Sequence, residues 1–118
     1  MDRIIHVKIT SDSPEKVTEF YRRSFGWKVM KFPNPPDAWR LDSGKGPGIN
    51  CSVCRSSDSP LDKQHISMAI SVESIEETAK LVEESGGKIL HDVIYAFGNT
   101  YLYCQDPDGN VLCLVQFD

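Results

Sequence analysis

The sequence has no apolar run near the ~20 residues that a bilayer-spanning helix requires, so no membrane span is expected. It has no excess of basic residues. Thirteen Lys and Arg stand against 17 Asp and Glu, giving a net charge of −4 and a pI near 5.3. Nucleic acid and anionic membrane surfaces both demand a basic patch, so neither is the expected partner. The opening stretch "MDRIIHVKIT" lacks an apolar signal core and a cleavage site, and a cytoplasmic location is expected. Without export signals, the four cysteines are expected as reduced thiols. Cys51 and Cys54 form one CxxC in "GINCSVC", which reads as a strand. Residues three apart on a strand point to opposite faces, so this pair should neither chelate one metal nor bridge easily. The glycine-rich "GKGPG" has no helix after it, so it is no phosphate loop.

What is present is ordinary for a soluble globular chain: 40% hydrophobic and 25% charged residues. Its 118 residues fit one domain that buries roughly two-thirds of its unfolded surface. "RIIHVKIT" alternates, with Ile5, Val7 and Ile9 on one face and His6, Lys8 and Thr10 on the other. A helix is expected over 13–25, with Ser13 as N-cap, Pro14 at the first position, a stripe of Val17, Phe20, Tyr21 and Phe25, and Gly26 as the stop. "WKVMKF", "AWRLD" and "GINCSVC" read as strands, and "PNPP" as a break. The polar "RSSDSPLDK" reads as a linker over 55–63. After it the order repeats. "HISMAISV" is a strand. A helix follows over 74–86, with Ser74 and Glu77 at capping-box spacing. "KILHDVIY", "TYLYC" and "NVLCLVQF" are three more strands.

An ungapped offset of 61 brings Ile5 onto Ile66, Ser13 onto Ser74, Gly26 onto Gly87 and Gly48 onto Gly109. Cap, helix stop and turn glycine register together. The expected fold is therefore α+β, with two tandem βαβββ modules, 1–57 and 62–118, making a curled mixed sheet around a cavity within a single 1–118 domain. In each module the helix covers one set of alternate side chains. The other set is the candidate binding surface: His6, Lys8 and Thr10; Asn50, Ser52 and Cys54; Ser67, Ala69 and Ser71; Val111, Cys113 and Val115. Trp39, Tyr101 and Tyr103 either line a pocket for a flat ligand or pack the sheet.

"IIHVKITSDSPEKVTEFYRRSFGWKV", the turn "QDPDGN" and the stretch "GPGIN" together resemble the vicinal oxygen chelate superfamily, over nearly the whole chain. That group includes glyoxalase I, bleomycin-resistance proteins and extradiol dioxygenases, and the likeness is to its glyoxalase-like subgroup. The resemblance implies four metal-ligand positions on the first and last strands of the modules: His6, Ser52, Ser67 and Cys113. Only His6 matches the usual His and Glu chemistry. Cys113 stands where a glutamate is usual, and His65 lies two residues before Ser67 on the same face. The candidate ligands are thus His6, Cys113 and His65, for zinc, nickel, iron or manganese, with the metal set incomplete. The resemblance also implies a homodimer.

Two functions follow. One is a glyoxalase-like protein that binds a small molecule in a barrel-like cavity, with His6, Lys8, Asn50, Ser52, Ser67, Trp39, Tyr101 and Cys113 lining it. The other is a metal-dependent lyase, isomerase or dioxygenase acting on a small oxygen-rich substrate.

Overall fold

The computed structural model describes residues 2–33, 37–58 and 65–118. The end of the expected linker lies outside the described residues. Two compact units emerge: His6–Ile66, and Met1–Ile5 with Ser67–Asp118. They are called module one and module two below. Among the described residues no helix is long and apolar enough to cross a membrane.

Module one contains β1 (Arg3–Ser11, from His6 onward), α1 (Pro14–Phe25), β2 (Lys28–Lys31), β3 (Ala38–Asp42) and β4 (Cys51–Arg55). Its strand order is β2-β3-β4-β1. β1 and β4 run parallel, while β2–β3 and β3–β4 are antiparallel, so the sheet is mixed. α1 starts at Pro14, whose fixed φ suits the first helical position. Ser13 occupies the N-cap position, but its side chain makes no cap bond. Its own N–H donates instead to Ser11 Oγ at 2.9 Å, which fixes the entry of the chain. Gly26 adopts φ 73° and closes the helix through an N–H to the Arg22 carbonyl. The side of the sheet under α1 is apolar. Leu41, Cys51 and Val53 are buried there, with Val7, Ile9, Val17, Tyr21, Trp27 and Val29 packed around them.

Module two contains β5 (Ile66–Ser71), α2 (Ile75–Glu84), β6 (Lys88–Ile89), β7 (Ile94–Ala96), β8 (Asn99–Gln105) and β9 (Val111–Phe117). The order is β5-β9-β8-β6, with β7 also on β8. β5 and β9 are parallel and the remaining pairs antiparallel. Here the cap is complete: Ser74 Oγ accepts from the Glu77 N–H at 3.2 Å. The core holds Val72, Ile75, Leu102, Cys104 and Leu114, with Ile70, Ala79, Val82, Ile89 and Leu112 against it. The β8–β9 turn is tied by Asp106, whose carboxylate accepts from the Asp108 and Asn110 N–H groups and the Asn110 amide. Those bonds, led by the Asn110 side chain, hold the Asp106 carboxyl below the usual carboxylate range.

The fold is thus α+β, built of two βαβ-type modules in the same order. One expected strand, "KILHDVIY", is two short ones. Ile89 pairs with Cys104 and Ile94 with Tyr101, so an advance of five residues meets one of three. The two extra residues bulge out around His91. The His91 ring turns back onto its own chain, with Nδ1 at the Asp92 carbonyl, and packs edge-on against Tyr103 with centroids 5.6 Å apart.

The repeat extends to strand register. Lys8 pairs with Ser52 in module one, and Ala69 with Cys113, each 61 residues on, in module two. The next strand over shifts by two more. Cys51 neighbours Leu41, whereas Leu112 neighbours Cys104. Two is the strand period, so the shift leaves every side chain on its face.

Candidate functional site

The helix-free face of module one carries the polar residues. On β1, His6 and Lys8 alternate with the core residues Val7 and Ile9. On β4, Ser52 lies between the buried Cys51 and Val53 and so faces the same way. On β3, Arg40 lies between Trp39 and Leu41, both buried, and pairs with Ser52. Lys8, Ser52 and Arg40 therefore form one row across three strands, with Ser52 in the middle. His6 joins this row through its side chain: Nε2 lies 3.0 Å from Ser52 Oγ. Half-burial, then Lys8, then Arg40 push the His6 pKa below that of an ordinary histidine. The imidazole is therefore neutral at pH 7 and offers one donor and one acceptor nitrogen.

Thr10 continues the face, in register with Cys54. It is 3% exposed, and among the described residues its hydroxyl has no hydrogen-bond partner. A buried hydroxyl without a partner keeps its desolvation cost. Thr10→Val is therefore expected to raise stability by about 1 kcal/mol. A urea midpoint unchanged or lowered in this variant would mean that the hydroxyl is satisfied in solution.

The other expected site residues divide by face and role. Asn50 serves the loop before β4, its side-chain oxygen accepting from the Ser43 N–H at 3.0 Å and facing the Ser43 hydroxyl at 3.3 Å. Trp39 lies on the opposite face from Ser52, in register with Val53, with the Lys31 ammonium 4.8 Å from its ring centre. The alternation of "AWRLD" carries the reason: Trp39 and Leu41 take the covered side, which leaves Arg40 on the open one. Arg40 did not figure among the expected site residues, although this alternation was the signal for it. In module two, Ser67 is buried on β5. Cys113 lies between Leu112 and Leu114, which pack in the core, and so takes the face away from α2. Its row is Ala69, Cys113 and Tyr103. The Cys113 thiol donates to the Leu114 carbonyl at 3.6 Å. Tyr101 is in register with Val115 and Ile94. His65 precedes β5, is exposed, and uses its carbonyl to accept from the Thr10 N–H at 2.7 Å.

The donor set does not fit a divalent metal. Among the described residues no three His, Cys, Asp or Glu side chains converge. His6 has a hydroxyl as its near partner and two cations as its charged neighbours, and a cation-rich surrounding opposes a second cation. All four cysteines are thiols outside any disulfide, and burial pushes those of Cys51 and Cys104 up in pKa, toward the neutral form.

Paired βαβββ-like modules with a parallel first–last strand pair in each define the class of protein. The Glyoxalase/Bleomycin resistance protein/Dioxygenase superfamily profile matches residues 3–114, and the chain belongs to that family. A hypothetical protein from Bacillus halodurans C-125 is similar in structure at TM-score 0.74 and 21% identity, covering 99% of this chain and 95% of that one. Methylmalonyl-CoA epimerase from Mycobacterium tuberculosis is similar at TM-score 0.71 and 15% identity, covering 98% and 87%. A Streptomyces coelicolor methylmalonyl-CoA epimerase variant in complex with 2-nitronate-propionyl-CoA gives TM-score 0.69 and 20% identity, covering 98% and 94%. At these identities the likeness is one of fold. No curated protein matches the sequence.

Proposed function

We propose that this chain is a glyoxalase-family protein that binds a small oxygen-bearing organic molecule on the helix-free face of module one, without a divalent metal at His6. The observation that carries the reading is the His6–Ser52 pair, a half-buried imidazole and hydroxyl 3.0 Å apart on a sheet face that α1 leaves uncovered. Such a pair presents hydrogen-bonding groups at a fixed spacing on a rigid strand, which suits orientation of a polar ligand. The epimerase neighbours, one of them in complex with a CoA ester, make short acyl-CoA esters and their parent acids the first compounds to try.

The test is calorimetric titration and thermal shift, with an acyl-CoA and short-acid panel in one arm and zinc, nickel and manganese in the other. A ligand held at about 100 times its Kd should stabilise the fold by about 2.7 kcal/mol. Ser52→Trp, which fills the face, should abolish that shift. One-to-one, high-affinity binding of a divalent ion that disappears in His6→Ala would overturn the reading. It would favour a metal-dependent lyase, isomerase or dioxygenase instead.

A further inference from the structure

We propose that the Lys8–Ser52–Arg40 row of module one is a carboxylate-recognition site, with Arg40 as its principal contact and the His6–Ser52 pair completing it. The inference rests on the binding reading above and names the ligand's chemistry. Three observations carry it.

The first is register. Lys8 and Arg40 flank Ser52 on adjacent strands, so two long basic side chains rise from either side of the His6–Ser52 pair. Neighbouring strands lie about 4.8 Å apart, which puts both cations within reach of one small anion over Ser52. A guanidinium presents a planar fork that matches the two oxygens of a carboxylate.

The second is the contrast between two arginines of the same module. Arg55 is engaged by the fold: Nε meets Asp37 at 2.7 Å and Nη2 meets Glu15 at 2.6 Å, tying β4 to the start of β3 and to the first turn of α1. Arg40 is exposed, and no carboxylate lies within ion-pair distance of it among the described residues. The guanidinium on the β3 flank of the polar face is left to solvent.

The third is an internal control. Module two builds the same row from Ala69, Cys113 and Tyr103. The architecture therefore does not need a cation at either flank, since a methyl group and a phenol serve there. The Arg40 charge belongs to what module one holds, not to how it folds. Burial first, and then the charges of Lys8 and Arg40, lower the His6 pKa, which leaves the ring neutral and able to donate or accept beside the anion.

The experiment uses the full chain, with malonate, its neutral isostere malonamide and inorganic phosphate as probes, titrated into wild type, Arg40→Gln and Arg40→Lys. Malonate is expected to bind wild type about tenfold or more tighter than malonamide. Arg40→Gln should lose about tenfold or more in malonate affinity, and Arg40→Lys should lie between them. Malonate binding should weaken as salt rises from roughly 50 to 300 mM, because surface charge is screened over that range. Equal malonate affinity in wild type and Arg40→Gln would overturn the proposal. Phosphate binding as tightly as malonate would overturn the carboxylate assignment. Malonamide matching malonate, with both lost in Ser52→Trp, would remove the charge inference and leave the binding reading standing. No binding of malonate, malonamide or any acyl-CoA would remove both.

Discussion

Gly87→Ala should destabilise module two by about 2 kcal/mol, more than any other glycine substitution in the chain. Gly87 follows α2, and its N–H donates to the Val82 carbonyl at 2.8 Å, which closes the helix end. A Cβ built there would lie 2.6 Å from the Gln105 carbonyl oxygen, 2.7 Å from Val82 Cγ1 and 3.1 Å from the Val82 carbonyl oxygen. Two of those three atoms are backbone, so they cannot rotate away. The β8 strand or the helix end must move instead, and close-packed interiors resist that. Gly86→Ala is the informative comparison. Gly86 has φ 95°, where a side chain is strained, but its nearest neighbour is Pro107 Cγ at an ordinary 3.7 Å. Its cost is conformational, about 1 kcal/mol. Urea unfolding followed by far-UV circular dichroism would rank the two. Gly86→Ala proving the worse would show that strain, not close approach, governs this corner.

Much of this fold was legible because short-range rules act on it directly. Pro14, Gly26, Ser74 and Glu77 mark helix ends by mechanisms that need only a few neighbouring residues. Alternation in β1 and β9 placed His6 and Cys113 away from their helices because Val7, Ile9, Leu112 and Leu114 had to be covered. The 61-residue offset worked because it compared like with like, element by element.

What was hidden depends on longer range. "KILHDVIY" has the composition of one strand, and the two-residue excess that breaks it appears only against the partner strand β8. The row of Lys8, Ser52 and Arg40 is likewise a fact of register, set by pairings 44 and 12 residues apart in sequence. Ser13 illustrates a third limit. Its type and position suit a cap, yet the backbone turns so that Ser11 supplies the hydrogen bond. Trp39 was ambiguous because an aromatic on a strand suits a pocket and a core equally well. Leu41, two residues on, decides its face.

Leu41 also allows folding and binding to be separated within one strand. It is 0% exposed, under α1, with Cys51 as its cross-strand neighbour. Leu41→Ala should cost about 3 kcal/mol, from lost transfer energy and from the cavity left between sheet and helix. Arg40, the residue before it, lies on the opposite face of the strand and is exposed, so Arg40→Gln should change stability by less than about 0.5 kcal/mol. Both tryptophans, Trp27 and Trp39, belong to module one, so their fluorescence reports its unfolding. The expected pattern is a double dissociation. Leu41→Ala unfolds at markedly lower urea but, below its transition, binds malonate as wild type does. Arg40→Gln keeps the wild-type midpoint and loses the ligand. Strand alternation gives the physical reason: consecutive residues lie on opposite sides of a sheet, so the apolar side can bear the stability while the polar side stays open to chemistry. A large stability loss in Arg40→Gln would mean that the guanidinium is structural, and the separation would collapse. A Leu41→Ala protein that is folded yet unable to bind would show that the two faces are coupled through the sheet.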